Sequence, residues 1–151
     1  MTPTTPFSIR GLDHVVLRVT DVDACIKFYC EALGCSIEAT RHDIGLVQLR
    51  AGTSIVDLVD CNGLIGKGGG GAPGEAGHNM DHFCLRLDPF DPEALSTHLT
   101  EHGIVPGEII SAWGADGRGP SMYITDPGGN TVELKGPPTH PYDPSIGYIA
   151  E

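Results

Sequence analysis

The hexapeptide Asp13-His14-Val15-Val16-Leu17-Arg18 returns as Asp81-His82-Phe83-Cys84-Leu85-Arg86, identical at four of six positions and apolar at the other two. Further along, Val56-Asp57-Leu58 is echoed by Val132-Glu133-Leu134, in the same order. Two ordered matches indicate a duplicated unit, roughly residues 10–60 and 80–136. The fold must therefore be one that a short module can build twice.

Each unit opens on a strand, Leu12–Val19 and Met80–Leu87. A helix follows. Thr20 and Asp23, in capping-box spacing, signal the first, which ends near Gly34. Asp91 and Pro92 signal the second, which ends near Gly103. Strand-like runs come next: Cys35–Thr40, Ile44–Arg50 and Ser54–Val59, then Val105–Ala112, Ser121–Thr125 and Thr131–Lys135. Asp126-Pro127-Gly128-Gly129-Asn130 is hairpin punctuation. The order β-α-β-β-β, twice, predicts an α+β fold with mainly antiparallel sheet. The expected layout is a disordered N-terminal arm (1–9), a first module (10–60), a Gly-rich linker or lid (61–79), a second module (80–136) and an extended tail (137–151).

Side chains alternate across a strand. His14, Val16 and Arg18 therefore share one face of the first strand, and His82, Cys84 and Arg86 one face of its counterpart. The opposite faces, Val15-Leu17-Val19 and Phe83-Leu85-Leu87, are wholly apolar and must pack under the helices. Asp57 and Glu133 add carboxylates to the polar side. If that side curves into a cleft, it gathers His14, Asp57, His82 and Glu133. Two imidazoles and two carboxylates are a divalent metal set.

Composition narrows the function. Nine Lys+Arg against 20 Asp+Glu give a net charge of −11, which repels nucleic acid and anionic membranes. No apolar run approaches the roughly 20 residues of a membrane helix. The N-terminus, MTPTTPFSIR, shows no export signal. The five cysteines, odd in number and without a C-x-x-C, read as reduced thiols in a cytoplasmic protein. Two motifs mislead. His98-Leu99-Thr100-Glu101-His102 matches a zinc-protease pattern but has no third ligand nearby. Gly66-Lys67-Gly68 lacks the Ser or Thr of a phosphate loop. His42, His78 and His140 are expected in solvent.

The runs D-H-V-V-L-R-V, F-Y-C-E-A-L-G and D-P-G-G-N-T-V-E-L resemble the vicinal oxygen chelate superfamily, which includes glyoxalase, over residues 10–136. The resemblance implies two βαβββ modules forming a cupped sheet around one divalent metal (Zn, Ni, Fe, Mn or Co). Its ligands would come from the first and last strand of each module, here His14, Asp57, His82 and Glu133. It also implies a homodimer. Within the superfamily the chain looks most like lactoylglutathione lyases, which implies a small substrate with vicinal oxygens such as a glutathione adduct. Arg18 then stands where a glutathione carboxylate is bound, and Asn62 where glutathione is contacted. Glu133, with Asp57, would shuttle the proton between neighbouring carbons. Asp57 is one methylene shorter than the usual Glu, so it would ligate weakly or through water. Arg86, the repeat partner of Arg18, is a second anion clamp or half of a rim ion pair. Competing activities are an extradiol-type dioxygenase, a thiol transferase acting on an epoxide antibiotic, and a non-enzymatic drug-binding resistance protein.

Overall fold

Apolar alternation drives four strands of each half into a sheet of its own. The computed structural model describes residues 5–145. The first sheet runs in the order β1-β4-β3-β2, from β1 (His14–Val19), β2 (Ser36–Arg41), β3 (Leu46–Ala51) and β4 (Ser54–Asp60). The second runs β5-β8-β7-β6, from β5 (Phe83–Arg86), β6 (Ile110–Gly114), β7 (Gly117–Thr125) and β8 (Thr131–Lys135). In both, the first strand lies parallel to the fourth and the other pairings are antiparallel. A short β9 (His140–Pro141) from the tail adds to β7.

The first helix, α1 (Val22–Lys27), starts one residue later than its capping box predicts. Asp21, not Thr20, is the cap: its carboxylate accepts from the Ala24 N–H at 2.9 Å. The helix then widens into a π turn, Phe28–Ala32, closed by the Leu33 N–H on the Phe28 carbonyl. That wider turn buries Phe28, Tyr29 and Ala32 together. The second helix, α2 (Pro92–Glu101), is capped by Asp91 as predicted. Gly34 and Gly103, both at φ +73°, end the two helices.

Other boundaries move for local reasons. β6 begins at Ile110 rather than Val105. Pro106 has no N–H to give a ladder, and the Gly107 backbone lies so close to Tyr123 that a Cβ would sit 2.3 Å from its carbonyl oxygen. β7 reaches back to Gly117 because its glycine-rich start still pairs with β6. The linker is not a loose tether. Gly66–Gly69 forms a short 3-10 turn, and the segment wraps round Arg18. Of the predicted arm and tail, residues 1–4 and 146–151 lie outside the described residues. All five cysteines are free thiols.

Both halves feed one core. Leu17, Val19, Leu49, Val56 and Leu58 of the first sheet belong to the same cluster as Phe83, Met122, Ile124, Val132 and Leu134 of the second, with Cys25, Tyr29 and Leu99 from the helices. Tyr29 and Phe83 meet with ring centroids 6.4 Å apart. The apolar faces thus turn inward to the shared core, and the polar faces turn away from it. A buried polar seam joins the halves. The Tyr29 hydroxyl donates to Asp126 at 2.6 Å, Asn130 Nδ2 donates to Asp126 at 2.9 Å, and Asn79 Nδ2 donates to Asn130 Oδ1 at 2.8 Å. Asn79 also takes the Arg18 N–H and donates to the Arg18 carbonyl.

Candidate functional site

On the first sheet, Val16 faces Asp57 in register, so His14 and Asp57 share a face two residues apart. His14 is exposed, whereas Asp57 is buried. His14 Nδ1 lies 2.7 Å from Asp13 Oδ1. That bond holds the imidazole above its ordinary pKa, with Asp57 adding a weaker pull in the same direction. Gln48 Nε2 donates to Asp57 Oδ1 at 3.0 Å and fixes the carboxylate.

The second sheet repeats this pattern more tightly. His82 Nδ1 lies 2.5 Å from Asp81 Oδ2, and its Nε2 lies 3.3 Å from Glu133 Oε2. Ser121 Oγ donates to Glu133 Oε1 at 2.6 Å, and the Tyr123 hydroxyl reaches Oε2 at 3.4 Å. Tyr123 packs edge-on to His82 at 5.3 Å between centroids. Burial, and then Glu133, raises the Tyr123 hydroxyl's pKa. Cys84 stands opposite Glu133 in register. Its thiol is pushed up to about 11, first by loss of water around the sulfur and then by Glu133, against the pull of Lys135 and Arg86.

The second half therefore carries a polar floor that reading by residue type missed. Ser121 and Tyr123 hold Glu133, and both share its strand parity across the Asp126–Asn130 hairpin. Parity was the signal that could have found them. Asp13 and Asp81 stood inside the repeated hexapeptide, but their hold on the neighbouring imidazole needs the structure to be seen.

The predicted ligands come together as two pairs and not as one set of four. Among the described residues no group of three or more His, Cys, Asp and Glu could hold a metal ion. The apolar side chains of both sheets share one core, which leaves each polar pair on the outer face of its own sheet. Each pair by itself suits half of a divalent site. It offers one imidazole and one carboxylate, and an aspartate on Nδ1 leaves Nε2 to face a metal.

The predicted substrate residues divide. Arg18 is turned into the linker. Its Nε donates to the Gly66 carbonyl at 3.1 Å, Nη1 to Gly69 and Gly71 at 3.0 and 3.1 Å, and Nη2 to Gly70 at 2.9 Å. Asn62 is exposed at the end of β4, and its N–H donates to Asp60. Arg86 pairs with Asp116 at 2.6 Å, both side chains more than half exposed. His98 and His102 serve structure: His98 Nε2 contacts the Ala32 carbonyl, and His102 Nδ1 the His98 carbonyl, each at 2.8 Å. A cavity of about 890 Å³ between α1, residues 101–107 and β7 is lined by none of the predicted site residues. No helix among the described residues is long and apolar enough to cross a membrane.

Known proteins agree with this architecture. A glyoxalase domain-containing protein, RDO1, of Mycosarcoma maydis is 29% identical over 134 residues, covering 84% of this chain and 68% of that protein. The virulence protein STM3117 of Salmonella typhimurium superposes with a TM-score of 0.68 at 25% identity, over 87% of this chain and 99% of that one. A lactoylglutathione lyase of Agrobacterium tumefaciens shares the fold at a TM-score of 0.59 and 20% identity, over 85% and 95% of the two chains. The family model that matches residues 11–134 carries the same message: the chain belongs to the Glyoxalase/Bleomycin resistance protein/Dioxygenase superfamily.

Proposed function

We propose that the protein is a metal-dependent lyase or isomerase of the lactoylglutathione-lyase type, acting on a small substrate with vicinal oxygens. One observation carries this reading. Two repeat-equivalent His–carboxylate pairs each have an aspartate seated on the imidazole Nδ1. A single chain offers two half-sets, so the complete site forms where the polar face of one copy meets that of another, in a homodimer. His14 and Asp57 of one copy, with His82 and Glu133 of the other, would hold one divalent ion. Asp57 is the weaker member, because Gln48 already claims one of its oxygens.

When bound, the metal supplies Lewis-acid polarisation of two adjacent substrate oxygens. The chain's own groups do the rest. Glu133 takes a proton from one carbon and returns it to its neighbour. Ser121 and Tyr123 hold the carboxylate in place as its charge changes. Asn62, just past the end of β4, would take a substrate amide or carboxylate.

Metal analysis of untagged protein, coupled to its solution mass, tests the reading. One divalent ion per chain in a dimer is expected, lost in His14→Ala and in His82→Ala with the far-UV spectrum unchanged. A stoichiometric metal that survives the double variant overturns the site. Turnover of a glutathione hemithioacetal, but not of a catechol, is the expected activity; the reverse would favour the dioxygenase.

A further inference from the structure

Two cations lie side by side on the floor of the second sheet. Arg86 and Lys135 are direct partners in the parallel β5–β8 register, on the face that carries Glu133. Like charges placed opposite each other in a sheet are destabilising. The chain holds only nine Lys+Arg, so this pairing is not dictated by supply.

Lys135 makes the arrangement more unusual. It is 6% exposed, yet among the described residues no carboxylate lies within ion-pair distance of its ammonium. Buried ammonium groups are normally neutralised by a partner. Among the described residues Nζ donates only to the Ala112 carbonyl at 2.5 Å and to the Gly119 carbonyl at 3.4 Å. An ammonium has three donors, so one remains. Gly114 keeps the space open: a Cβ there would stand 2.7 Å from Lys135 Cε.

Arg86 supplies the cover. Asp116 sits in the turn between β6 and β7, yet it reaches Arg86 on β5, across β7 and β8 in the sheet order. The contact therefore spans the strand that carries Lys135. Both partners are more than half exposed, at 66% and 56%. A pair this exposed is weak, so a competing anion can displace Asp116.

We propose that Arg86 and Lys135 form an oxyanion site, closed by Asp116 in the free protein and opened when a ligand carboxylate or phosphate takes Asp116's place. Resting on the function proposed above, it assigns the substrate class: a small acid whose anionic group lies two strand residues, about 6.6 Å, from Glu133. The Arg18 guanidinium, turned into the glycine linker, is not needed for it.

Titration of the full-length protein with inorganic phosphate and, separately, with malonate, at constant ionic strength, tests the site and tells the two anions apart. Saturable binding of at least one is expected. Asp116→Asn should tighten it, by up to roughly fivefold if the lost pair is worth about 1 kcal/mol. Arg86→Gln should weaken it roughly tenfold or more, and Lys135→Met should do the same while retaining its far-UV spectrum. The proposal is overturned if neither anion saturates, if Asp116→Asn leaves affinity unchanged or lowers it, or if Arg86→Gln binds like the parent. The exposed Asp116 and Arg86 decide the matter even if Lys135→Met fails to fold. Metal content measured on the same samples separates the two readings. The anion pattern without metal defeats the enzyme proposal alone, and metal without the anion pattern defeats this one alone.

Discussion

Replacing Tyr29 with phenylalanine removes one oxygen from the seam between the two halves and leaves the ring in the core. Tyr29 is 0% exposed and Asp126 4%, and their bond is 2.6 Å long, so solvent does not dilute it. A hydrogen bond to a carboxylate is worth about 1.5–3 kcal/mol. Asp126 keeps its bonds from the Gly128 and Asn130 N–H groups and from Asn130 Nδ2, so the loss belongs at the lower end of that range. For a chain of this size about 2–4 °C is lost per kcal/mol, which gives a fall in Tm of roughly 3–12 °C across the range. Urea unfolding followed by far-UV circular dichroism should show the midpoint falling at constant slope. A cycle with Asp126→Asn should return coupling of about 1 kcal/mol or more. A loss below about 0.5 kcal/mol, or purely additive effects, would refute the view that this bond ties the halves together.

Alkali should weaken the fold by a defined route. The folded state pushes the Cys35 thiol up to about 11 and Cys25 up to about 12, mainly by burial, and raises the Tyr29 hydroxyl as well. These groups keep protons that the unfolded chain releases. Their contribution is therefore complete below pH ~9 and disappears as pH climbs through the folded values; a urea midpoint that stays flat from pH 8 to 11 would contradict this. Arg18→Ala should free the glycine segment and speed tryptic cleavage after the exposed Lys67 roughly tenfold or more. Gly69→Ala should act the same way, since its Cβ would lie 2.4 Å from Arg18 Cζ, and an unchanged cleavage rate in both would show that Arg18 does not restrain the segment.

The repeat and the period-two alternation made the histidine–carboxylate pairs legible, because both depend only on local backbone geometry. Parity and the repeat together put one imidazole and one carboxylate on the polar side of each half. Their separation into two half-sets was not legible. It depends on both apolar faces sharing one core, where Tyr29 of α1 meets Phe83 of the second sheet, and no local pattern encodes that long-range choice. Arg18 shows the same limit. Strand parity put it on the face of His14 but said nothing of four glycine-segment carbonyls some fifty residues away in sequence. The helix start was missed by one residue because Thr20 and Asp21 are both good caps, and only the approach of the chain selects Asp21.

The contact between Asn79 and β1 bears on how the protein behaves at high concentration. β1 is the outer strand of its sheet, and Asp13 and Val19 turn their carbonyls to the β4 side. The alternate residues His14, Val16 and Arg18 thus present their peptide groups outward, where a foreign strand could add. Asn79 uses its side-chain amide to occupy both peptide groups of Arg18, as a neighbouring strand would. Only His14 and Val16 are left to recruit another chain, too short a ladder to seed sheet growth. One amide side chain thereby acts as an aggregation gatekeeper, and Asn79→Ala should lower the concentration at which the protein begins to form fibrillar or insoluble material.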